Sequence, residues 1–576
     1  MSTFGRVMRL LKPHRLRIAG AMAVHTIVVL TLLIIPRLTA RVVNDVIEGG
    51  MLNLLYPLCG MILGLNLIRS VGSFVRGVTF MKVSQDVVKD LRVGLYKHLQ
   101  ELPCEFYDKH RVGEIMSRMT GDIEGVRNWI SMGILGIYDN VILFVGALIS
   151  MMTMSPPVTG MVLVITPILA VAAWWFRKKI GPMYRDVREQ NAILNTTTQE
   201  NLAGIHVVKA FCREDYEEER FKRENRKLLD INLAATWVSS NFTPIMTLLS
   251  ALCTPITLAG GALMMSRGEM DIGTLVGLTG YIWMLTNPMS QVSGLINQTI
   301  QMVTGAEKLF YYADIGSNIV EKENALAPDK IRGKVEFDHV TFAYADHPVL
   351  KDITFTAEPG QTIAVMGATG TGKSTLVTLL SRFYDVTDGA IRIDGTDVRD
   401  YDLKALRRGI GYCMQDTFLF SDTIQDNIRF SNPAADPERV RRAAHTACAD
   451  EFIAECPQGY ETVIGERGMG LSGGQKQRTS IARAVMADPG ILVLDDSTSA
   501  VDMETEAVIQ DRLADVLKNR TTFIIAHRIS SVKNADLILV LKNGEIAERG
   551  NHKSLLAAGG IYAGMVADQM ASAVRG

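Results

Sequence analysis

Apolar positions are segregated along this chain. Long, nearly unbroken apolar runs fill the residues before 300. After residue 320, short apolar stretches alternate with loops rich in Asp and Glu. A helix that crosses a bilayer needs about 20 predominantly apolar residues. Six stretches meet that length, at roughly 17–43, 55–80, 132–154, 158–177, 243–265 and 273–300. The third and fourth are joined by SPP at 155–157, which leaves room only for a tight turn. The fifth and sixth are joined by SRGEMDIG, and the first and second by little more than VIEGG. Two connections are long, about 82–131 and 178–242. Both show apolar residues at three- and four-residue spacing with few glycines, as in VSQDVVKDLRVGLYKHLQEL and REQNAILNTTTQENLAGIHVVKAF. That spacing predicts helices that continue beyond the bilayer as rods.

Basic residues set the expected orientation. Arg6, Arg9, Lys12, Arg15 and Arg17 precede the first run. The long connections carry further Lys and Arg, from Lys82 to Arg127 and from Arg177 to Lys227, whereas the short connections have almost none. By the positive-inside rule both long loops and both termini are expected on the cytoplasmic side of the plasma membrane. The first run is too long for a signal peptide and no cleavage site follows it. Arg69 and Arg76 fall inside the second expected span. An arginine there lines a wet path or donates to backbone carbonyls, and Arg76 is close enough to the cytoplasmic side to snorkel.

Composition refines this picture. The 576 residues allow several domains. A formal net charge of −1 gives no sign of a nucleic-acid partner. Seven cysteines are scattered without C-x-x-C spacing, which argues against a disulfide framework and a zinc site.

The second half has a different texture. GKVEFDHVTFAY alternates like an antiparallel strand. QTIAVMGATGTGKSTLVTLLSRFY then reads strand, glycine-rich loop, helix. The loop from Gly367 to Ser374 fits G-x-x-x-x-G-K-[ST] in the context that pattern requires. Gly367, Gly370, Thr371 and Gly372 let backbone N–H groups curl around phosphate oxygens at a helix N-terminus, with Thr375 one residue further in. Lys373 is expected to reach the β- and γ-phosphates of ATP, and Ser374 to hold Mg²⁺. Farther on, ILVLDD (491–496) is an apolar strand, expected beside the phosphate loop, that ends in two carboxylates. Asp495 is expected on Mg²⁺, and Asp496 to orient or deprotonate the attacking water. LSGGQKQR (471–478) exposes a second helix N-terminus suited to phosphate. Within one chain that site is redundant; between two chains facing head to tail, each could cap the nucleotide of the other.

With these motifs in this order, the chain resembles the ATP-binding cassette (ABC) exporters, specifically half-transporters, over nearly its whole length. The resemblance implies a six-helix all-α transmembrane domain with long cytoplasmic helical extensions (1–312), a linker (313–333) and an α/β P-loop nucleotide-binding domain (334–576). It also implies residue roles. Tyr344 matches the aromatic that stacks on adenine, and Gln415 matches the glutamine that contacts Mg²⁺. Ser472, Gly473, Gly474 and Gln475 match the signature. Asp502 matches the loop that communicates across the dimer, and His527 the switch histidine that senses the γ-phosphate. FYDKHRVGEIMSRMTGDIEGVRNWI and QENLAGIHVVKAF look like the two coupling segments, and AEKLFYYAD (306–314) like the linker.

The resemblance points to ATP-driven export of a small molecule, drug-like or lipid-like, by alternating access in a dimer within the lipid bilayer. One departure matters. The family pattern at the end of this strand is Asp followed by Glu, and here the second residue is Asp496, one methylene shorter. A carboxylate that misses its proton or water by one bond length loses rate steeply. The expected assembly is therefore a heterodimer with a second half-transporter, in which this chain's own site hydrolyses ATP slowly. The alternatives are a homodimer exporting a peptide or siderophore-like substrate, and an ATP-gated channel or regulator.

Overall fold

The computed structural model describes residues 2–575, which divide into two compact units. One comprises residues up to Glu101 together with Arg111–Ile315; the other comprises Leu102–His110 together with residues from Gly316 onward.

The first unit is helical. A short helix α1 (Thr3–Leu10) precedes α2 (Arg15–Arg41), α3 (Leu55–Glu101), α4 (Ile134–Met154), α5 (Ile165–Ala203), α6 (Glu214–Ser266) and α7 (Ile272–Asp314). α3 has 47 residues and α6 has 53. At 1.5 Å per residue these are about 70–80 Å long, more than twice the hydrocarbon thickness of a bilayer, so both continue well past a single span. α5 ends at Gly204, and a short helix, Ile205–Ala210, leads into the turn before α6.

Among the described residues, five helices are long and apolar enough to cross a membrane. The stretch expected as a sixth span, 273–300, is helical within α7 but is not one of those five. Thr279, Thr286, Asn287, Ser290, Gln291, Asn297 and Gln298 dilute its apolar character. Its apolar positions are nevertheless the packed ones: Leu278, Tyr281, Met284 and Leu285 are buried, and α7 packs against α2, α4 and α6. Ser290, Gln291 and Asn297 are exposed, so this helix pairs a packed apolar side with a polar exposed one. Residues 306–314 form the last turns of this same helix, with Ala306, Leu309 and Tyr312 buried.

Arg76 does not reach for an interface. Its Nη1 donates to His25 Nδ1 at 2.9 Å and lies 3.6 Å from Asp139 Oδ2. His25 Nε2 is 2.5 Å from Asp139 Oδ1. His25 is 1% exposed. These three residues belong to α2, α3 and α4, so one polar cluster ties three helices together. Burial is affordable only because the arginine and aspartate charges are mutually neutralised through the imidazole.

The second unit is α/β. β1 (Val335–Tyr344) and β2 (His347–Ala357) form an antiparallel pair, and β1 also pairs antiparallel with β4 (Asp388–Ile393), which continues to β5 (Thr396–Asp397). The second sheet has six strands: β3 (Thr362–Gly367), β6 (Ile410–Cys413), β7 (Ile491–Asp495), β8 (Thr521–Ile525), β9 (Leu537–Lys542) and β10 (Glu545–Gly550), in the order β10-β9-β3-β8-β7-β6. The inner strands run parallel, and the residues of β7 are buried throughout. β7 therefore does not lie directly beside the phosphate-loop strand; β8 is inserted between them. The carboxyl ends of β3, β7 and β8 still open on one edge, the usual place for a ligand in such a sheet.

Leu102–His110 groups with this second unit although it lies early in the sequence. Phe106 is buried. The Tyr384 hydroxyl donates to Asp108 Oδ2 at 2.5 Å, and Asn318 Nδ2 donates to Glu105 Oε2 at 2.7 Å. Burial, then the Asp108 carboxylate, pushes the Tyr384 phenol well above its ordinary value.

Candidate functional site

The loop after β3 takes its shape from glycine. Gly367, Gly370 and Gly372 all have positive φ. A Cβ on Gly367 would stand 2.5 Å from the Leu541 carbonyl oxygen, and one on Gly372 would stand 2.7 Å from Leu350 Cδ2. At Gly367 a Cβ would meet backbone, and at both positions the positive φ disfavours any other residue. Gly372 then caps the helix α8 (Lys373–Leu380). Thr371 Oγ1 donates to the Ala368 carbonyl at 2.9 Å, closing the turn.

Lys373 is buried, and its ammonium donates to the carbonyls of Gly367 (3.0 Å) and Ala368 (2.9 Å). Desolvation lowers its pKa, while the nearby Asp495 and Asp496 carboxylates oppose that shift. Asp495 is buried at the end of β7. Burial raises its pKa, and a hydrogen bond from the Ser374 hydroxyl works the other way. Lys373, Ser374, Thr375, Gln415, Asp495, Asp496 and His527 line a single cavity of 320 Å³, together with Gly370 and Gly372. Ser374, Gln415 and Asp495 offer a hydroxyl, an amide and a carboxylate oxygen. That is a hard-donor set with few protein charges, which fits Mg²⁺ held between protein and a polyphosphate.

Asp496 has an unusual backbone. Its φ is +45°, a region that aspartate tolerates better than most side chains. Its N–H donates to the Ile525 carbonyl at 2.8 Å. Its carbonyl accepts from Gln477 Nε2 at 3.3 Å and from Ser499 Oγ at 3.1 Å. The carboxylate is thus fixed on a backbone held from both sides.

The other residues singled out by sequence lie outside this cavity. Tyr344 ends β1 and lines a neighbouring cavity, with its ring edge-on to Phe342 at 4.8 Å and Tyr384 at 5.2 Å. Ser472 caps the helix α9 (Gly473–Met486). Its Oγ accepts from the Gln475 N–H at 3.3 Å, and Gln475 Oε1 accepts from the Ser472 N–H at 2.9 Å. This reciprocal capping box satisfies two backbone N–H groups at the start of α9, while Gly473 itself is exposed. Gly473 and Gly474 lie against Ala500, where a Cβ on Gly474 would stand 3.0 Å from its carbonyl oxygen. Asp502 caps the helix α10 (Met503–Leu517) and accepts from the Thr505 N–H at 2.9 Å. That bond holds its carboxyl below the usual carboxylate range.

The structure adds residues that the sequence did not flag. Gln477 links α9 to the turn after β7: besides Asp496 it reaches Ser499 Oγ at 3.0 Å and accepts from the Ala500 N–H at 2.9 Å. Buried Glu506 accepts from Arg528 at 2.8 Å and Thr498 at 3.0 Å. Arg528, next to His527, also donates to the carbonyls of Ser499 and Val501, both at 3.2 Å. The histidine loop and the loop ending at Asp502 are therefore one hydrogen-bonded body. Position was the only available signal: Gln477 sits one turn into the signature helix, and Arg528 follows the histidine.

Comparison with known proteins places this architecture. Residues 18–289 match the ABC transporter transmembrane region, and residues 350–499 match the ABC transporter family. The chain is 35% identical over 565 residues to a putative multidrug export ATP-binding/permease protein, YgaD, of Bacillus subtilis, covering 96% of this chain and 97% of that protein. It is 34% identical over 562 residues to the ATP-dependent lipid A-core flippase of Syntrophus aciditrophicus, covering 98% and 94% respectively. A solved bacterial Atm1-family ABC exporter with ATP bound superposes with a TM-score of 0.82 at 28% identity, over 96% of this chain and 98% of that one. The chain belongs to the ABC transporters, as an exporter-type half-transporter that joins a helical transmembrane domain to an ATP-binding, ATPase domain.

Proposed function

We propose that this chain exports a small amphipathic molecule across the plasma membrane at the expense of ATP, with both termini cytoplasmic, as one half of a heterodimer whose ATP site on this chain turns over slowly. The observation that carries the last point is Asp496. Its backbone is held by Ile525, Gln477 and Ser499, so the main chain has little freedom to compensate for a side chain one methylene short.

In this reading the loop N–H groups and Lys373 hold the triphosphate, and Tyr344 offers its half-exposed ring to the adenine. Ser374, Gln415 and Asp495 would hold Mg²⁺, which when bound neutralises charge on the phosphate oxygens. His527 donates to the γ-phosphate. Asp496 positions water at suboptimal reach. Ser472, Gly473, Gly474 and Gln475 cap the nucleotide held by the partner chain, and Asp502 carries the state of one site towards the other. Closure on ATP favours the conformation that binds it better, and the membrane helices follow. The likeness to a putative multidrug exporter and to a lipid A-core flippase supports an amphipathic cargo.

The experiment is to express the chain alone and with a second half-transporter, then measure assembly and ATPase. Asp496→Asn in the pair should leave most turnover, whereas neutralising the partner's equivalent glutamate should remove it. Full activity of this chain alone as a homodimer overturns the heterodimer reading.

A further inference from the structure

A cavity of 970 Å³ lies within the transmembrane unit, bounded by α5, α6, α7 and the segment around Asp122. That volume suits a small-molecule ligand. It is open to solvent: where a Cβ on Gly121, Gly125, Gly181 or Gly294 would stand, no atom of another residue lies within 4 Å.

Arg177, Arg185 and Arg188 line it from α5. None of the three has a carboxylate partner among the described residues; Arg188 Nε donates only to the Tyr184 carbonyl, at 3.3 Å. The one carboxylate lining the cavity, Asp122, is already engaged by Arg118 at 3.1 Å. Opposite the arginines, α7 presents Asn297, Gln301 and Thr304, spaced so that they share one helix face. Phe176, stacked on Phe242 at 3.7 Å, and Ile300 supply an apolar wall.

A row of basic residues near a membrane boundary often serves only as an interface anchor. Here the same basic run divides by direction. Lys178 lies over the Trp174 ring at 5.5 Å and Lys179 over the Trp175 ring at 5.3 Å, an anchor arrangement. Arg177 instead joins Arg185 and Arg188 at the cavity. Three guanidiniums without counter-charge, facing amides across a gap, form a receptor for oxyanions, which arginine binds through paired hydrogen bonds.

We propose that this cavity recognises the exported molecule through a carboxylate, phosphate or sulfate head group, so that the substrate is an organic anion with an apolar body and not a lipophilic cation. This rests on the exporter reading above. Arg185 and Arg188 hold the head group, Asn297 and Gln301 complete its hydrogen bonds, and Phe176 and Ile300 receive the apolar part.

The test uses the full chain in its assembled dimer, in phosphatidylcholine nanodiscs. ATPase that depends on Lys373 is titrated with decyl phosphate, decyltrimethylammonium, decanol and citrate. The expected result is stimulation by decyl phosphate at lower concentration than by citrate, the ammonium or the alcohol. Response to citrate alone overturns the apolar-body part of the proposal. Arg185→Gln with Arg188→Gln should raise the half-maximal anion concentration about tenfold. The double lysine substitution, which keeps the charge but not the paired hydrogen bonds, should restore only part of the response, and Asp186→Asn, which does not line the cavity, should not change it. The proposal is overturned if the ammonium or the alcohol is the best stimulator, if no anion acts on a preparation with Lys373-dependent ATPase, or if the glutamine pair responds like the parent. Absence of Lys373-dependent ATPase in every assembly counts instead against the exporter reading.

Discussion

Replacing Asp496 by Glu is the sharpest perturbation of the ATP site. The substitution adds one methylene to a side chain whose backbone is fixed by the Ile525 carbonyl at 2.8 Å and by Gln477 at 3.3 Å. The carboxylate therefore advances into the cavity that holds Lys373, Ser374 and His527. Correcting a misplacement of about one bond length is worth on the order of 100-fold in rate, or about 2.7 kcal/mol of barrier. The change also has a cost. Glutamate at φ +45° is strained relative to aspartate, by about 1–2 kcal/mol. That strain falls on folding and not on the barrier, and should lower the domain's Tm by about 2–8 °C. The assay is single-site ATPase in a dimer whose partner site has been inactivated, with thermal unfolding measured in parallel. Faster hydrolysis with lower Tm is the expected pair. No gain in rate refutes the argument that carboxylate reach limits this site, and a gain without loss of Tm refutes the argument from backbone strain.

Lys373→Ala should sharply weaken ATP binding, measured by nucleotide titration, because the phosphates lose their main side-chain cation. Nucleotide affinity should fall at both pH extremes. Burial raises the pKa of Asp495, so its carboxylate is lost on acidification at a pH above the ordinary aspartate value. Desolvation lowers the pKa of Lys373, so its charge is lost on alkalinisation below the ordinary lysine value. Substituting Asp495 by Asn should remove the acid limb of a titration followed by nucleotide fluorescence. In the membrane unit, Asp139→Asn leaves Arg76 without its counter-charge. Both groups are partly exposed, at 32% and 23%, so the cost should be about 1–3 kcal/mol, less than for a fully buried pair. Adding Arg76→Gln should recover part of it in the same nanodisc melting assay. Gln477→Ala should lower ATPase more than nucleotide affinity, since it frees the turn after Asp496 without touching the phosphate loop.

What could be read from sequence follows from how local the signal is. The phosphate loop, the signature cap and the β7 carboxylates were legible because each is a short motif whose chemistry depends on its neighbours in the chain. The antiparallel pairing of β1 was legible from its alternation. The insertion of β8 between β3 and β7 was not, because strand order depends on crossovers that leave no local mark. The polar cluster of His25, Arg76 and Asp139 was half visible: an arginine in a span is conspicuous, but its partners lie on two other helices. The grouping of Leu102–His110 with the second unit rests on the burial of Phe106 and on the contacts of Asp108 and Glu105, a docking that no periodicity encodes. Residues 273–300 give a weaker apolar signal than the other expected spans, because α7 buries Leu278, Tyr281, Met284 and Leu285 while Ser290, Gln291 and Asn297 stay exposed.

The most direct test of export is uptake into inside-out vesicles from cells producing the assembled dimer, with decyl phosphate as the labelled cargo beside a fluorescent amphipathic cation. The account predicts ATP-dependent accumulation of a cargo above its outside concentration, absent with Lys373→Ala. Cargo that only equilibrates with the outside, or accumulation that survives Lys373→Ala, would contradict ATP-driven transport by this chain.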